Sequence, residues 1–152
     1  MKSEMFEYII SQRVCVVALE MLDGSPHVAT VHFAHIDEPL TFIIQTNPQY
    51  KKSEPLLARD TVRASLVIGL VEVAGGKEKT FQVDGEAQII QKDDPLVKVY
   101  LDKFPEKAGK WAEDIFFKVT PIWWRFTDWS KPEGKTILSS DGTMTVKGKL
   151  VS

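Results

Sequence analysis

The sequence predicts a mainly β protein: a small, closed, antiparallel β-barrel of six or more strands, with helices packed over its ends. Three observations lead there. Short β-branched apolar runs recur at residues 14–21, 27–36 and 62–70, each bounded by turn residues and too short for a buried helix. Residues 80–90 alternate cleanly between apolar and polar, as a strand with one wet face does. Helical spacing is confined to short stretches near 3–12, after Ser53 and after Asp94.

The elements follow in order. Residues 3–12 read as a helix capped by Ser3, with Met5, Phe6, Ile9 and Ile10 at helical spacing. The strand 14–21 leads into Asp23-Gly24, a strong hairpin signal, and the chain returns through 27–36. Asp37-Glu38-Pro39 turns it again into 40–46. Three strands on short turns predict a meander. Pro55 places a helix start near Ser53, with Ser53 as cap and Leu56 and Leu57 facing the core. Residues 62–70 form a buried strand, and 74–77 a loop. In strand 80–90, Gly85 marks a bend or bulge. Asp94-Pro95 opens a helix whose apolar face is Leu96, Val97, Tyr100, Leu101 and Phe104. Residues 106–113 read as one more helical turn. A long strand at 115–128 bends at Pro121, and the tail holds short strands at 135–138 and 143–150.

At 152 residues the chain suits one domain spanning 1–152, and folding at this size buries roughly 70% of the unfolded chain's surface. Nineteen basic and 21 acidic residues leave a net charge of −2, with no excess that argues for nucleic acid. Cys15 is the sole cysteine, so no internal disulfide forms. The N-terminus lacks a signal-peptide core, and no apolar run approaches the roughly 20 residues of a membrane span. A soluble cytoplasmic protein, free of membrane, is the expectation.

Chemistry-bearing residues concentrate at one corner. Thr46, Lys51, Lys52 and Ser53 sit where a strand hands over to a helix, and hydroxyls and ammonium groups at a helix mouth suit an anion. A solvated turn with two surface lysines is the competing reading, because such pairs are common. His32 and His35, three apart on a strand, point to opposite faces. His27 and His35 share a face but lie about 27 Å apart at strand rise, so no metal site is expected. Partly exposed strand histidines are the plain reading. Cys15 lies in an apolar run with nothing nearby to lower its pKa. No nucleophile elbow, dinucleotide fingerprint or carboxylate pair stands out, so catalytic residues stay unassigned. Trp111, Trp123, Trp124 and Trp129 crowd the last third, where packing is the default and stacking on a planar ligand the sharper reading.

The order of these pieces resembles the pyridoxamine 5′-phosphate oxidase-like family of FMN-binding split β-barrels, over most of residues 12–128. The resemblance rests on DGSPHVATVHFA, FIIQTNPQYKK, LLARDTVRASLVIG and FQVDGEAQII in that order. It is similar to a small branch of the family, since RFTDWS and KTILSS do not match the ending of the oxidases proper. The resemblance implies FMN as cofactor and a homodimer with ligand sites at its interface. It implies that Thr46 and Lys52 bind the phosphate, with Lys51 as a second basic contact and Gln45 beside them. Thr30, Val31, His32 and Phe33 would lie along the flavin ring, some through backbone groups, and Thr80 would meet the flavin. The family's phosphate arginine falls on Ala29 and its strand-end lysine on Ala34, while Tyr50 replaces a serine. Loss of the arginine removes a bidentate contact. Three functions remain open: an FMN-dependent oxidoreductase, a non-catalytic binder of haem, deazaflavin or another anion, and a purely structural dimer.

Overall fold

A computed structural model describes residues 2–69, 78–132 and 134–147. Among them run α1 (Lys2–Ser11), β1 (Val14–Glu20), β2 (Pro26–His32), β3 (Ala34–Ile36), β4 (Thr41–Thr46), α2 (Ser53–Ala58), β5 (Val62–Ile68), β6 (Lys79–Ile90), α3 (Pro95–Lys103), a 3-10 turn (Pro105–Lys107), β7 (Ile115–Asp128), β8 (Gly134–Ser139) and β9 (Gly142–Lys147). All strand pairs are antiparallel, in the order β2-β1-β5-β6-β7-β4-β3. This path begins and ends on one segment of chain, because only Phe33 separates β2 from β3. The bent segment 26–36 pairs with β1 through its first half and with β4 through its second. The sheet thereby curls back on itself as a split barrel, and few backbone edges are left open.

That split corrects the expected meander. Residues 27–36 are not one strand beside 40–46. Phe33, fully buried, turns its side chain inward while its N–H reaches Arg13 O at 3.1 Å. The expected bulge at Gly85 is present: the β6–β7 register shifts between Asp84 and Gly85, opposite Pro121. A Cβ at Gly85 would lie 2.2 Å from Thr120 O, so the two backbones approach as closely as they do only because residue 85 has no side chain.

Alternation fills the barrel. Val17, Leu19, Phe33, Phe42, Leu66, Phe81, Val83, Phe117 and Phe126 point inward, and each such side chain contributes about 1.5–3 kcal/mol on burial. α1 closes one end with Met5 and Ile9. A second core lies outside the barrel, where α3 packs on the β3–β4 edge: Ala34, Ile43, Ile90, Val97, Tyr100, Phe104 and Phe116. α3 starts as expected, with the Asp94 carboxylate accepting from Leu96 N at 2.9 Å and Pro95 in the first turn.

Several local expectations fail. α1 begins at Lys2, so Ser3 lies within its first turn, and Ile10 faces water. Lys52, not Ser53, occupies the cap position of α2, and Leu57 is exposed while Leu56 is buried. The helical turn after α3 is limited to the 3-10 turn. His35 is buried, not partly exposed, with its Nε2 2.8 Å from Asp37 Oδ1. The loop at 74–77 lies outside the described residues.

Candidate functional site

β4 delivers two polar side chains to its C-terminal end. Thr46 is buried, and among the described residues its Oγ1 has no partner. Gln45 donates from Nε2 to Asp114 Oδ2 at 3.1 Å, while its buried Oε1 has no partner among them. Leaving a buried polar atom unpaired costs about 1–3 kcal/mol, so both atoms have bonding capacity for water or a ligand.

The turn that follows is bonded within itself. Asn47 Oδ1 accepts from Gln49 N at 2.8 Å, and Asn47 O accepts from Ser53 Oγ at 2.7 Å. Ser53 N and Glu54 N already donate to Tyr50 O and Lys51 O. The expectation of free N–H groups at a helix mouth is therefore corrected: α2 offers neither a hydroxyl cap nor those two donors. What remains for an anion is Lys52. It is 8% exposed, its Nζ sits 4.5 Å from the Tyr50 ring centroid, and it forms no ion pair among the described residues. Burial pushes its ammonium below the usual lysine range, and the Asp114 carboxylate opposes this. Lys51, one residue earlier, is exposed.

Behind the corner a pocket of about 240 Å³ is lined by Gln45, Lys107, Trp111, Asp114 and Phe116, among others. Lys107 Nζ donates to Tyr100 Oη at 2.9 Å and lies 3.1 Å from His32 Nδ1. Burial pushes the Tyr100 phenol up, and Asp114 adds to this. A polar chain thus runs from β4 past α3 to the end of β2. Asp114, Tyr100 and Lys107 gave no functional signal in the sequence: they come from a strand entry, a helix core face and a 3-10 turn.

The remaining predicted residues divide. Thr30 and His32 are exposed on the outer face of β2. Val31 and Phe33 point into the barrel core, which leaves their backbone groups as the part able to meet a ligand. Thr80 pairs with Thr127, whereas Thr46 pairs with Ile115. The two lie toward opposite ends of β7, roughly 40 Å apart at strand rise, so one chain does not bring Thr80 to the corner. Ala29 is half-buried, and Ala34 is buried in the second core. Cys15 is fully buried, and burial pushes its thiol up to about 12, which fits an inert hydrophobe. Of the tryptophans, Trp124 stacks on Phe81 at 5.8 Å, whereas Trp111 and Trp129 are exposed.

A second, larger concavity of about 690 Å³ runs over the outer face of the sheet, between Ala18, Arg63, Asp84, Ile122 and Trp123. Ile122 and Val28 are largely exposed beside it. Among the described residues no group of three potential metal ligands converges, and no helix is long and apolar enough to cross a membrane.

The chain matches the family model described as pyridoxamine 5′-phosphate oxidase over residues 1–132. No curated protein matches the sequence. Among solved structures it is similar to a Clostridium acetobutylicum protein related to general stress protein 26 of B. subtilis, of the pyridoxinephosphate oxidase family. That likeness has a TM-score of 0.64 at 17% identity and covers 92% of this chain and 94% of that one. HutZ, the haem storage protein from Vibrio cholerae, matches with a TM-score of 0.60 at 16% identity, over 78% and 88% of the two chains. A haem-binding protein from Mycobacterium smegmatis gives 0.64 at 13% identity, over 90% of this chain and 54% of that one.

Proposed function

The chain belongs to the pyridoxamine 5′-phosphate oxidase family, and we propose that it is a flavoprotein that binds FMN at the β4–α2 corner as a cytoplasmic homodimer. The observation that carries this reading is that the corner holds both a desolvated Lys52 without an ion pair and a buried Thr46 hydroxyl without a partner among the described residues. These are the two positions where the family resemblance puts the phosphate ligands. Lys52 supplies charge and Thr46 a directional donor. Gln45 Oε1 offers an acceptor to a flavin ring N–H, and its amide is held in place by Asp114. The exposed edge of β2 at Thr30 offers a surface for the ring. When bound, FMN supplies the two-electron redox chemistry, and the protein orients it and controls water access. An oxidoreductase of unassigned substrate is the activity this arrangement serves.

Thr80 supports the homodimer: the flavin role that the family resemblance gives it is out of reach within one chain, and a second copy would bring it to the corner. The outer sheet face with Val28 and Ile122 is apolar enough to bury against that copy. Sedimentation of the purified protein tests this, and a monomer at micromolar concentration removes Thr80 from the site.

The test of the corner is a titration with FMN followed by absorption and flavin fluorescence. Thr46→Val combined with Lys52→Met should weaken FMN binding at least about tenfold, as loss of charge-assisted hydrogen bonds does. Thr46→Val alone should leave the free protein as stable as wild type or more so, since it removes an unpaired hydroxyl. Unchanged affinity in the double variant places the phosphate elsewhere. A second reading, haem binding without turnover, is favoured by the printed names of HutZ and the M. smegmatis protein. A haem absorption band on titration, with no uptake of FMN, would select it.

A further inference from the structure

Positive charge also concentrates at the α3-side core, on residues to which the flavin reading gives no phosphate role. Arg13 follows α1, Lys103 ends α3, and Lys107 ends the 3-10 turn. All three converge on one ring, Phe104: the Arg13 guanidinium carbon lies 4.7 Å from its centroid, Lys107 Nζ 4.9 Å and Lys103 Nζ 5.7 Å. His32 meets the same ring edge-on at 5.3 Å. Lys103 Nζ also lies 4.3 Å from the Phe33 ring and donates to Gln12 O at 2.5 Å.

The charges do not balance. Glu106 pairs with Arg13 at 3.0 Å, and Asp114 acts on Lys107 from the pocket side. Burial first, then Arg13, pushes Lys103 down to about 8. Burial, then Lys107, Arg13 and Lys103, holds His32 below the usual histidine range, against Glu106. Aromatic faces partly offset the crowding of like charges. A bound anion would offset the remaining excess and would favour a charged His32.

Position gives the cluster its meaning. Ala34, where the family's strand-end lysine is missing, packs in the same core as Tyr100 and Phe104. The cations lost from the strand therefore reappear on the neighbouring helix end and 3-10 turn. Gln45 of the corner donates to Asp114 at 3.1 Å, and Gln45, Asp114 and Lys107 line one pocket, so the corner and the cluster border the same carboxylate.

We propose that Arg13, Lys103 and Lys107, with His32, form a phosphate-binding site that, together with Lys52, takes over from the strand cations absent at Ala29 and Ala34. That the phosphate belongs to FMN rests on the flavin reading above. The site itself stands on the convergence of the four side chains.

The experiment follows the His32 ring by NMR, its resonance identified by its loss in His32→Gln. Inorganic phosphate is added at constant ionic strength set with chloride. Phosphate should raise the His32 titration midpoint by about 1 unit. The rise should vanish in Arg13→Met/Lys103→Met. It should persist in Lys98→Met, since Lys98 pairs with Asp102 at 2.7 Å on exposed helix surface. Lys107→Gln repeats the test if the double variant does not fold. In parallel, wild type should bind FMN at least about tenfold more tightly than riboflavin, and Arg13→Met/Lys103→Met should reduce that preference without changing riboflavin affinity, because Lys52 and Thr46 are still in place. If phosphate moves His32 while neither flavin binds, the anion site stands and the flavin reading falls. If FMN binds with its preference intact in the double variant and phosphate leaves His32 unmoved, the cluster proposal is overturned and the flavin reading survives. If phosphate has no effect and no flavin binds, both are overturned.

Discussion

The barrel interior and the α3-side core are built from the same residue types and do different work. Inside the barrel, phenylalanines meet one another: Phe33 lies 5.9 Å from Phe42, and Phe42 lies 6.0 Å from Phe81. On the α3 side, Tyr100 and Phe104 also pack closely, at 4.9 Å, but their outer edges carry Arg13, Lys103 and Lys107. The first core is walled by strands and closed at one end by α1. The second is open along one rim, and charged groups settle there because an aromatic face tolerates a cation that a closed aliphatic core would neutralise. The difference puts charged side chains at the border between a dry core and water.

Breaking each core in turn tests that contrast. Phe81→Ala, in the closed barrel, should cost about 3–5 kcal/mol in urea denaturation, with no change in the His32 titration of the folded protein. Phe104→Ala should cost less, about 3 kcal/mol, because the rim can collapse around the gap. It should also shift His32 upward, since the ring that gathers the cations around it is gone. Equal costs with an unmoved His32 would erase the distinction. Asp94→Ala removes the cap of α3 and should cost about 1 kcal/mol, leaving the barrel intact. A much larger loss would mean that the second core and the barrel unfold as one unit.

The smallest effect is pH-dependent. Lys103 titrates at about 8 in the folded protein against a usual 10.5. Between those values the unfolded chain holds the extra proton, so this residue makes stability rise with pH across that window. Lys103→Met should flatten the rise relative to wild type when denaturation midpoints are compared from pH 7.5 to 10. Parallel curves would mean that Lys103 is better hydrated than its contacts imply.

Much of this was legible in the chain. Strand positions came from short β-branched apolar runs and, at 80–90, from period-two alternation, the hairpin from Asp23-Gly24, the start of α3 from Asp94-Pro95, and the bulge from Gly85. These are local properties, set by side-chain direction and backbone sterics, and they need no distant partner. Thr46 and Lys52 were assigned their roles from the family resemblance, and the structure places Thr46 at the end of β4 and Lys52 at the cap of α2. The failures share one cause. Ser53 as a cap and Leu57 as a core residue depended on where a six-residue helix begins and which way it faces, and a neighbouring element decides that. Thr80 was assigned beside the flavin from the resemblance, and only the β6–β7 register puts it at the far end of the barrel.

The sequence by itself determined which segments are strands, which are helices and which faces are apolar, because each follows from neighbours within a few residues. It also determined that the strand cations at positions 29 and 34 are absent. Tertiary structure alone decided that residues 26–36 split between two partners to close the barrel. It decided too that Arg13, His32, Lys103 and Lys107 meet on one phenylalanine. Long-range packing brings Arg13 and Lys107, 94 positions apart in the chain, onto the same ring, and no local pattern encodes such a meeting.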